Sequence, residues 1–588
     1  MIEYKIKMQD TSGYGDITSK LIEVLSLCKT TDEEKIICFE KGQYHFYWDS
    51  AEERTVYASN TDTVKKPQIS SAVNIENIRN LIIDGGGSEF IMHGRMVALR
   101  IFESSNIKLC NFSWDFPVAG TFEMHVKEVG KYHVDYTIPK NMQWKIEKGN
   151  IRWFEKSLFS GKEYWHVMGH SNSHCVVGYN RTTENVSRYP ISKSPLAYRL
   201  KIKKTGENEV RVNYFKPVDK SLYFKGMSFE MCPNFERLST GAFLNESSNI
   251  SLENIDVHYM HGFAFLVQMC ENVTFKKCNF TPKAGSDRVC TSYADHIHVS
   301  GAKGKIHIEE CQFANAHDDP INIHGTFTRV KKAVDNKTLI LEYVHNQQNA
   351  FKQYHKGDKV IFYNRENFLS FGDEKEFTVE SVVDPLNDGL SAKEMKVRFT
   401  EDLPDEIKVP KAYAAENVTY TPEVYIGNCV FEKIPTRGIL CTTKKKVLIE
   451  NNVFAGLTMA SIYLSNDCNN WYESGAIKDM TIRGNTFLIK NTPHNGAKPA
   501  IFIDPIVAKS DKTVSVVHKN ITIEDNEIYL ENDKAVIAKY TDNLTVRNNK
   551  IYFDLNYPLD KSEIFSVENC TNVIIEDNYI ETALIDKK

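Results

Sequence analysis

One short motif recurs along the chain and restricts its fold more than any other feature. It runs as a pair of Ile, Val or Leu residues, two polar residues, Asn or Cys, a polar residue, then Phe or Ile. Towards the C-terminus it reads VLIENNVF at Asn452, MTIRGNTF at Asn485, ITIEDNEI at Asn526, LTVRNNKI at Asn549 and VIIEDNYI at Asn578. Upstream, Cys stands in place of Asn, in NIKLCNF at Cys110, VTFKKCNF at Cys278, IHIEECQF at Cys311 and VYIGNCVF at Cys429, with SLENIDV contributing Ile255. The steps from 255 to 278, 429 to 452 and 526 to 549 are 23 residues each, and those from 278 to 311 and 452 to 485 are 33.

Steps of 23 with elastic additions are the coils of a solenoid. Each copy offers a strand of about five residues, and Asn or Cys at a repeated corner suits an inward stack at about 4.8 Å. The expected fold is therefore all-β, a right-handed parallel β-helix. Leucine-rich repeats share the period but need a helical half, and the segments between the strands are polar, turn-rich and not amphipathic. The ladder is interrupted twice, and both gaps alternate apolar and polar residues as small antiparallel barrels do, in FEMHVKEVGKYHVDYTI and in KGDKVIFYN and EKEFTVESVVD. The predicted organisation is an N-terminal cap and first coils over 1–118, an inserted β domain over 119–228, coils over 229–325, an inserted β-barrel over 326–420 and C-terminal coils over 421–588. Within the cap, DITSKLIEVLSLCKTTDEEKIICFE reads as an amphipathic helix from an Asp or Thr cap followed by strands.

Composition narrows the partners. Seventy-two basic against 77 acidic residues leave a net charge of −5, which gives no sign of nucleic-acid binding. No apolar run reaches the roughly 18 residues of a membrane span, and mean hydropathy is −0.40. The start, MIEYKIKMQD, lacks the pattern of a secretory signal, so the chain is expected either to stay inside the cell or to have lost a signal. Thirteen Cys without a CxxC pair read as buried thiols.

Two neighbouring coils carry an acidic cluster, TSYADHIHVSG and NAHDDPINIHG, which align at an offset of 24. Asp295 falls on Asp319, Ile297 on Ile321 and His298 on Asn322, while Asp318 leaves the same edge at another angle. Like charges so close cannot all ionise freely, so one acid beside one base is expected, the pair glycoside hydrolysis needs. Alternate residues, His296, His298, Asn322 and His324, are expected to face outward and hold sugar hydroxyls. The bland alternative makes Asp318 and Asp319 turn caps before Pro320 and Asp295 a turn residue. Stacked carboxylates could instead hold a cation, although no metal or cofactor is predicted. Arg437 in PTRGILCTT is the nearest basic candidate, and the loop SNDCNNWYESG carries Trp471 as a sugar platform and Glu473 as an acceptor. His258, His261 and Gln268, one coil earlier, read as satisfied polar residues.

These segments resemble glycoside hydrolase family 110, the α-galactosidases whose β-helix carries small β-barrels. The likeness rests on YADHIHVSG, AHDDPINIHG, RGILCTT and NWYESG in that order. It implies an inverting exo-enzyme releasing terminal α-1,3-linked galactose from blood group B-like or linear glycans without a required metal. It also implies Asp318 as the acid, with Asp295 and Asp319 positioning and activating water. Polygalacturonases share one Asp, a DD pair a coil later and an HG, but their NTD triplet is replaced by YAD at 293–295, and their Arg-Ile-Lys appears only as Arg437-Gly438-Ile439. That departure argues for a neutral sugar. A non-catalytic glycan-binding β-helix is the alternative from another class, and a homodimer through the inserted domains is the expected assembly if there is one.

Overall fold

The computed structural model describes residues 1–170, 175–232, 237–238, 240–490, 498–508, 516–531, 534–556 and 563–583. Parallel strands follow one another up a single solenoid in three stacks, the architecture that the 23-residue step predicts. One stack runs through Ile297–Glu309, Ile321–Thr326, Ile439–Cys441, Ile462–Leu464 and Ile501–Ile503. In it Ile297, Ile321, Ile439, Ile462 and Ile501 lie in register and point inward, fully buried. The alternate residues therefore face out, and they build the site described below.

The corner ladder is held by amides. Asn485 Oδ1 accepts from the backbone N–H and the Nδ2 of Asn452, at 2.9 and 3.0 Å, and Asn526, Asn549 and Asn578 repeat the arrangement coil by coil. Behind it, Phe280, Phe313, Phe431, Phe454 and Phe487 stack with ring centroids 4.7–5.1 Å apart. The residue before each corner is left-handed, from Lys277 (φ 53°) and Glu310 (54°) to Asn451 (56°), Gly484 (63°) and Asn548 (54°). That turn explains why Asn, Asp and Gly crowd the position in the C-terminal copies. It also corrects the first copy of the motif: Asn111 is the left-handed residue (61°), so Phe112, not Cys110, occupies the corner opposite Ile255.

The helix Thr18–Cys28 buries Leu21, Val24, Leu25 and Cys28 against the first coils, and Asp16 Oδ1 accepts from the Thr18 N–H at 2.9 Å. The two interruptions differ in closure. The first holds a seven-stranded antiparallel sheet with strands from Phe122–Val129 to Met227–Met231 and a separate three-stranded sheet over Gln143–Met168. The second is a closed six-stranded barrel running from Thr328–Ala333 to Tyr413–Asn417, around a core that includes Val330, Leu341, Phe362, Phe377 and Phe399. All 13 cysteines are free thiols, and all but Cys38 and Cys570 are buried. Among the described residues no helix is long and apolar enough to cross a membrane.

Candidate active site

The turn that enters each strand of the site-bearing stack puts one residue two positions before the inward Ile. In three successive coils that residue is Asp295, Asp319 and Arg437, which thus share a row. Two acids in such a row repel, and the third coil supplies the counter-charge. Arg437 Nε and Nη2 donate to the two oxygens of Asp319 at 3.0 and 2.6 Å, and its backbone N–H adds a third bond at 3.1 Å. This fork is the geometry that favours Arg over Lys.

Asp318 leaves the row sideways and meets Arg237 Nη2 at 3.1 Å. Burial pushes its carboxyl up, but Arg188, Arg237, Arg437 and His317 outweigh that and hold it below the ordinary carboxylate range. His317 is itself charged: burial opposes this, but Glu230, 2.7 Å from its Nδ1, pushes the imidazole up to about 10. Asp295 has the opposite fate, because burial and then Asp318 and Asp319 raise it well above the usual range. For Asp319, burial raises the pKa, Arg437 opposes it and Asp318 adds to it, and the outcome is a rise. One oxygen from each carboxyl lies within 4.8 Å of the others. The cluster thus contains one carboxyl that favours its proton and one that refuses it.

These groups open into a cavity of about 360 Å³, the size of a small-ligand site. Asn322, Leu440 and Tyr463 continue the outward row from His298. The far wall is the loop after Ile462–Leu464, where Asp467 accepts the backbone N–H groups of Asn469, Asn470 and Trp471, each at 2.8 Å. Trp471 is 45% exposed and lies against His345 of the barrel with centroids 4.6 Å apart. Glu473 accepts from Asn60 Nδ2 at 3.0 Å, which ties the N-terminal region to this wall.

Of the residues expected from the sequence, Asp295, Asp318, Asp319, His298, Asn322, Arg437, Trp471 and Glu473 line the cavity together. Two do not. His296 points into the coil, stacked on Phe280 at 4.8 Å and bonded to Thr291 Oγ1 at 2.7 Å, because Pro320, its neighbour in the next coil, precedes the regular alternation of the strand. His324 stands behind His298, their Nε2 atoms 3.0 Å apart, rather than facing the cavity. His258 and Gln268 have backbone partners in Thr281 and Ser59. Tyr463 and Thr442 were within reach of sequence reasoning by extending the coil register past Arg437. Asn60, Arg188 and Arg237 were not, since they lie outside the repeat and only the fold brings them here.

Residues 338–410 match the family model described as GLAA-B beta-barrel domain II. The chain is 33% identical over 548 residues to alpha-1,3-galactosidase A of Bacteroides thetaiotaomicron, covering 92% of this chain and 90% of that one. It is 30% identical to alpha-1,3-galactosidase B of Phocaeicola vulgatus, covering 98% and 95%. Among solved structures, the A-module of mannuronan C-5 epimerase from Azotobacter vinelandii aligns over 98% of this chain and 99% of that one, with 8% identity and a TM-score of 0.40.

Proposed function

We propose a catalytic cycle for this chain, which belongs to the α-1,3-galactosidases of glycoside hydrolase family 110: hydrolysis of a terminal α-1,3-linked galactoside with inversion at the anomeric carbon. The observation that carries the reading is the split within the acidic cluster. Asp295 and Asp319 are stacked in one row, while Asp318 stands apart on its own arginines. For this cycle the cluster's one proton, which the free site holds at Asp295, passes first to Asp318, an oxygen of which lies within 4.8 Å. Asp318 then protonates the leaving oxygen, and the ionised stacked pair holds and deprotonates the attacking water. Trp471 offers a ring face to the sugar, and Glu473, Asn322 and Asn466 offer partners for its hydroxyls. A wall in which Asn60 is hydrogen-bonded to Glu473 and Trp471 lines the same side suits a chain end rather than a through-running polymer.

One measurement favours a second reading. Nearest carboxylate oxygens within 4.8 Å are closer than the roughly 6.5–9.5 Å between the carboxyl groups of inverting sites, and nearer the roughly 5–5.5 Å of retaining ones. Against double displacement, both oxygens of Asp319 are engaged by Arg437. Proton NMR of the first galactose released from an α-1,3-galactosyl trisaccharide decides between them. Inversion gives β-galactose first, retention gives α-galactose first, and no galactose from branched or linear substrate sinks both.

A further inference from the structure

Behind Asp295 runs a line of three hydrogen bonds. Asp295 Oδ2 lies 2.8 Å from His298 Nδ1, His298 Nε2 lies 3.0 Å from His324 Nε2, and His324 Nδ1 lies 2.7 Å from the Gly325 carbonyl oxygen. A carbonyl oxygen only accepts, so His324 Nδ1 carries a proton. Two imidazole nitrogens at 3.0 Å need one proton between them, and so does the bond from carboxyl to imidazole. The line therefore holds three protons. A carboxylate with two neutral imidazoles supplies two.

We propose that His298 and His324 are positioning residues that keep one extra proton on the Asp295–His298 bond of the free enzyme, a store for the single proton the three-aspartate site requires. The inference rests on the hydrolase reading above. Hydrolysis uses one proton at the leaving oxygen, which passes from Asp295 to Asp318 before it is donated, and regains one from water at the Asp295–Asp319 pair, so the site begins each cycle with one proton and ends with the same number. In the free site Asp318 is surrounded by Arg188, Arg237 and Arg437, and Asp319 is forked by Arg437, so neither is where that proton rests. Burial raises Asp295 and lowers His298, which agrees with a neutral acid donating to a neutral ring.

The surroundings are specific. His298 is stacked on Phe263 with centroids 4.3 Å apart and faces Arg237, while Asp295 faces Asp318, Asp319, Arg237 and Glu473. Glu473 Oε1 is also 3.5 Å from His324 Nε2. Should the charge move to His324, the imidazolium would rest against Glu473 and the count would still be three. Sequence reasoning places both histidines as sugar ligands. The structure instead buries His324 and turns His298 towards Asp295.

Nitrogen-15 NMR of histidine-labelled enzyme, with the infrared carboxyl band compared between wild type and Asp295→Asn, counts the protons directly. The expected result is a protonated His324 Nδ1, one proton between the two Nε2 atoms, and one proton on either His298 Nδ1 or Asp295. A bare His324 Nδ1, or a bare His298 Nδ1 beside an ionised Asp295, overturns the proposal. His324→Phe keeps the ring but removes both nitrogens, so the store should bind its proton less tightly. The alkaline limb of kcat/KM should move to lower pH and kcat should fall, by about 10- to 100-fold if the loss is like that of an outer hydrogen-bond partner of a metal-bound histidine. An unmoved limb overturns the proposal. Failure of the hydrolase reading would look different, as no galactose release by wild type whatever the proton count.

Discussion

Two corners of this solenoid use the same stacking geometry for opposite ends. Along Asn452, Asn485, Asn526 and Asn549, each amide donates to the next coil and accepts from the previous one, so identical residues satisfy one another indefinitely. At the other corner the row holds Asp295, Asp319 and Arg437, and an ionised carboxylate, as at Asp319, only accepts, while Asp295 can donate only by keeping a proton of its own. Copies of an acceptor cannot satisfy copies of themselves. That row is stable only because Arg437 ends it and His298 takes one oxygen of Asp295. A β-helix thus turns from scaffold to chemistry by exchanging a self-complementary side chain for one that needs outside partners.

The comparison breaks most sharply at Asp318. Asp318→Asn should cost about 10²- to 10⁴-fold in kcat on a natural glycan, because an amide brings no proton to the leaving oxygen. Thermal unfolding should come at a lower temperature, because Arg188 and Arg237 lose their counter-charge, so rates are compared below the melting transition. An activated aryl galactoside, which needs less acid help, should recover much of the loss. Wild-type rates on the glycan from a folded variant would remove Asp318 from the acid role.

Next in size, Arg437→Met leaves Asp319 buried beside Asp318 without its fork. Removing one member of a buried pair typically costs about 3–5 kcal/mol, and the 30% exposure of the Arg437 side chain places this site at the lower end, about 3 kcal/mol. Arg437→Lys keeps the charge without the fork and should fall between the two. Denaturant unfolding measures both. A loss from Arg437→Met no larger than that of a surface Arg would mean the acid row does not depend on its third member.

The amide corner gives the smaller counterpart. Asn526→Leu leaves Asn485 without the acceptor for its backbone N–H and its Nδ2, about 1–3 kcal/mol for groups left unpaired. Activity below the melting transition should stay at the wild-type level, since Asn526 lies outside the cavity. Chelation should leave activity unchanged as well. If chelator abolished it and calcium restored it, the three carboxylates would be cation ligands.

What the sequence disclosed follows the same division. The corner ladder repeats a residue type at a fixed step, so the strands, their register and the pairing of Asp295 with Asp319 were readable from spacing alone. The left-handed residue before each corner was the missed local signal, and it misplaced the first copy by two residues, at Cys110 instead of Phe112. Side-chain direction at the strand entrance was harder, as His296 shows: alternation begins only at Ile297. Arg188, Arg237 and Asn60 carry no period at all. They belong to a strand of the first insertion and to loops whose arrival at the site depends on how the whole chain packs, which one coil's spacing does not encode.

The finest test converts the acid row towards the amide row. Asp295 in the folded chain binds its proton far more tightly than in the unfolded chain, where the ordinary value of 3.8 applies. Below that value both states are protonated and the group is neutral towards stability. As pH rises above it, the unfolded chain ionises while the folded one cannot, so folding stability is lost progressively up to the raised pKa. Asp295→Asn is neutral at every pH, and its amide can still donate to His298 Nδ1. Its melting temperature should therefore match wild type near pH 4 and exceed it increasingly towards neutrality, while catalysis falls. Calorimetry across that range measures the gap. A gap that stayed constant with pH would show that Asp295 titrates as an ordinary aspartate, and that the corner is less strained by its acids than the row of Asp295, Asp319 and Arg437 requires.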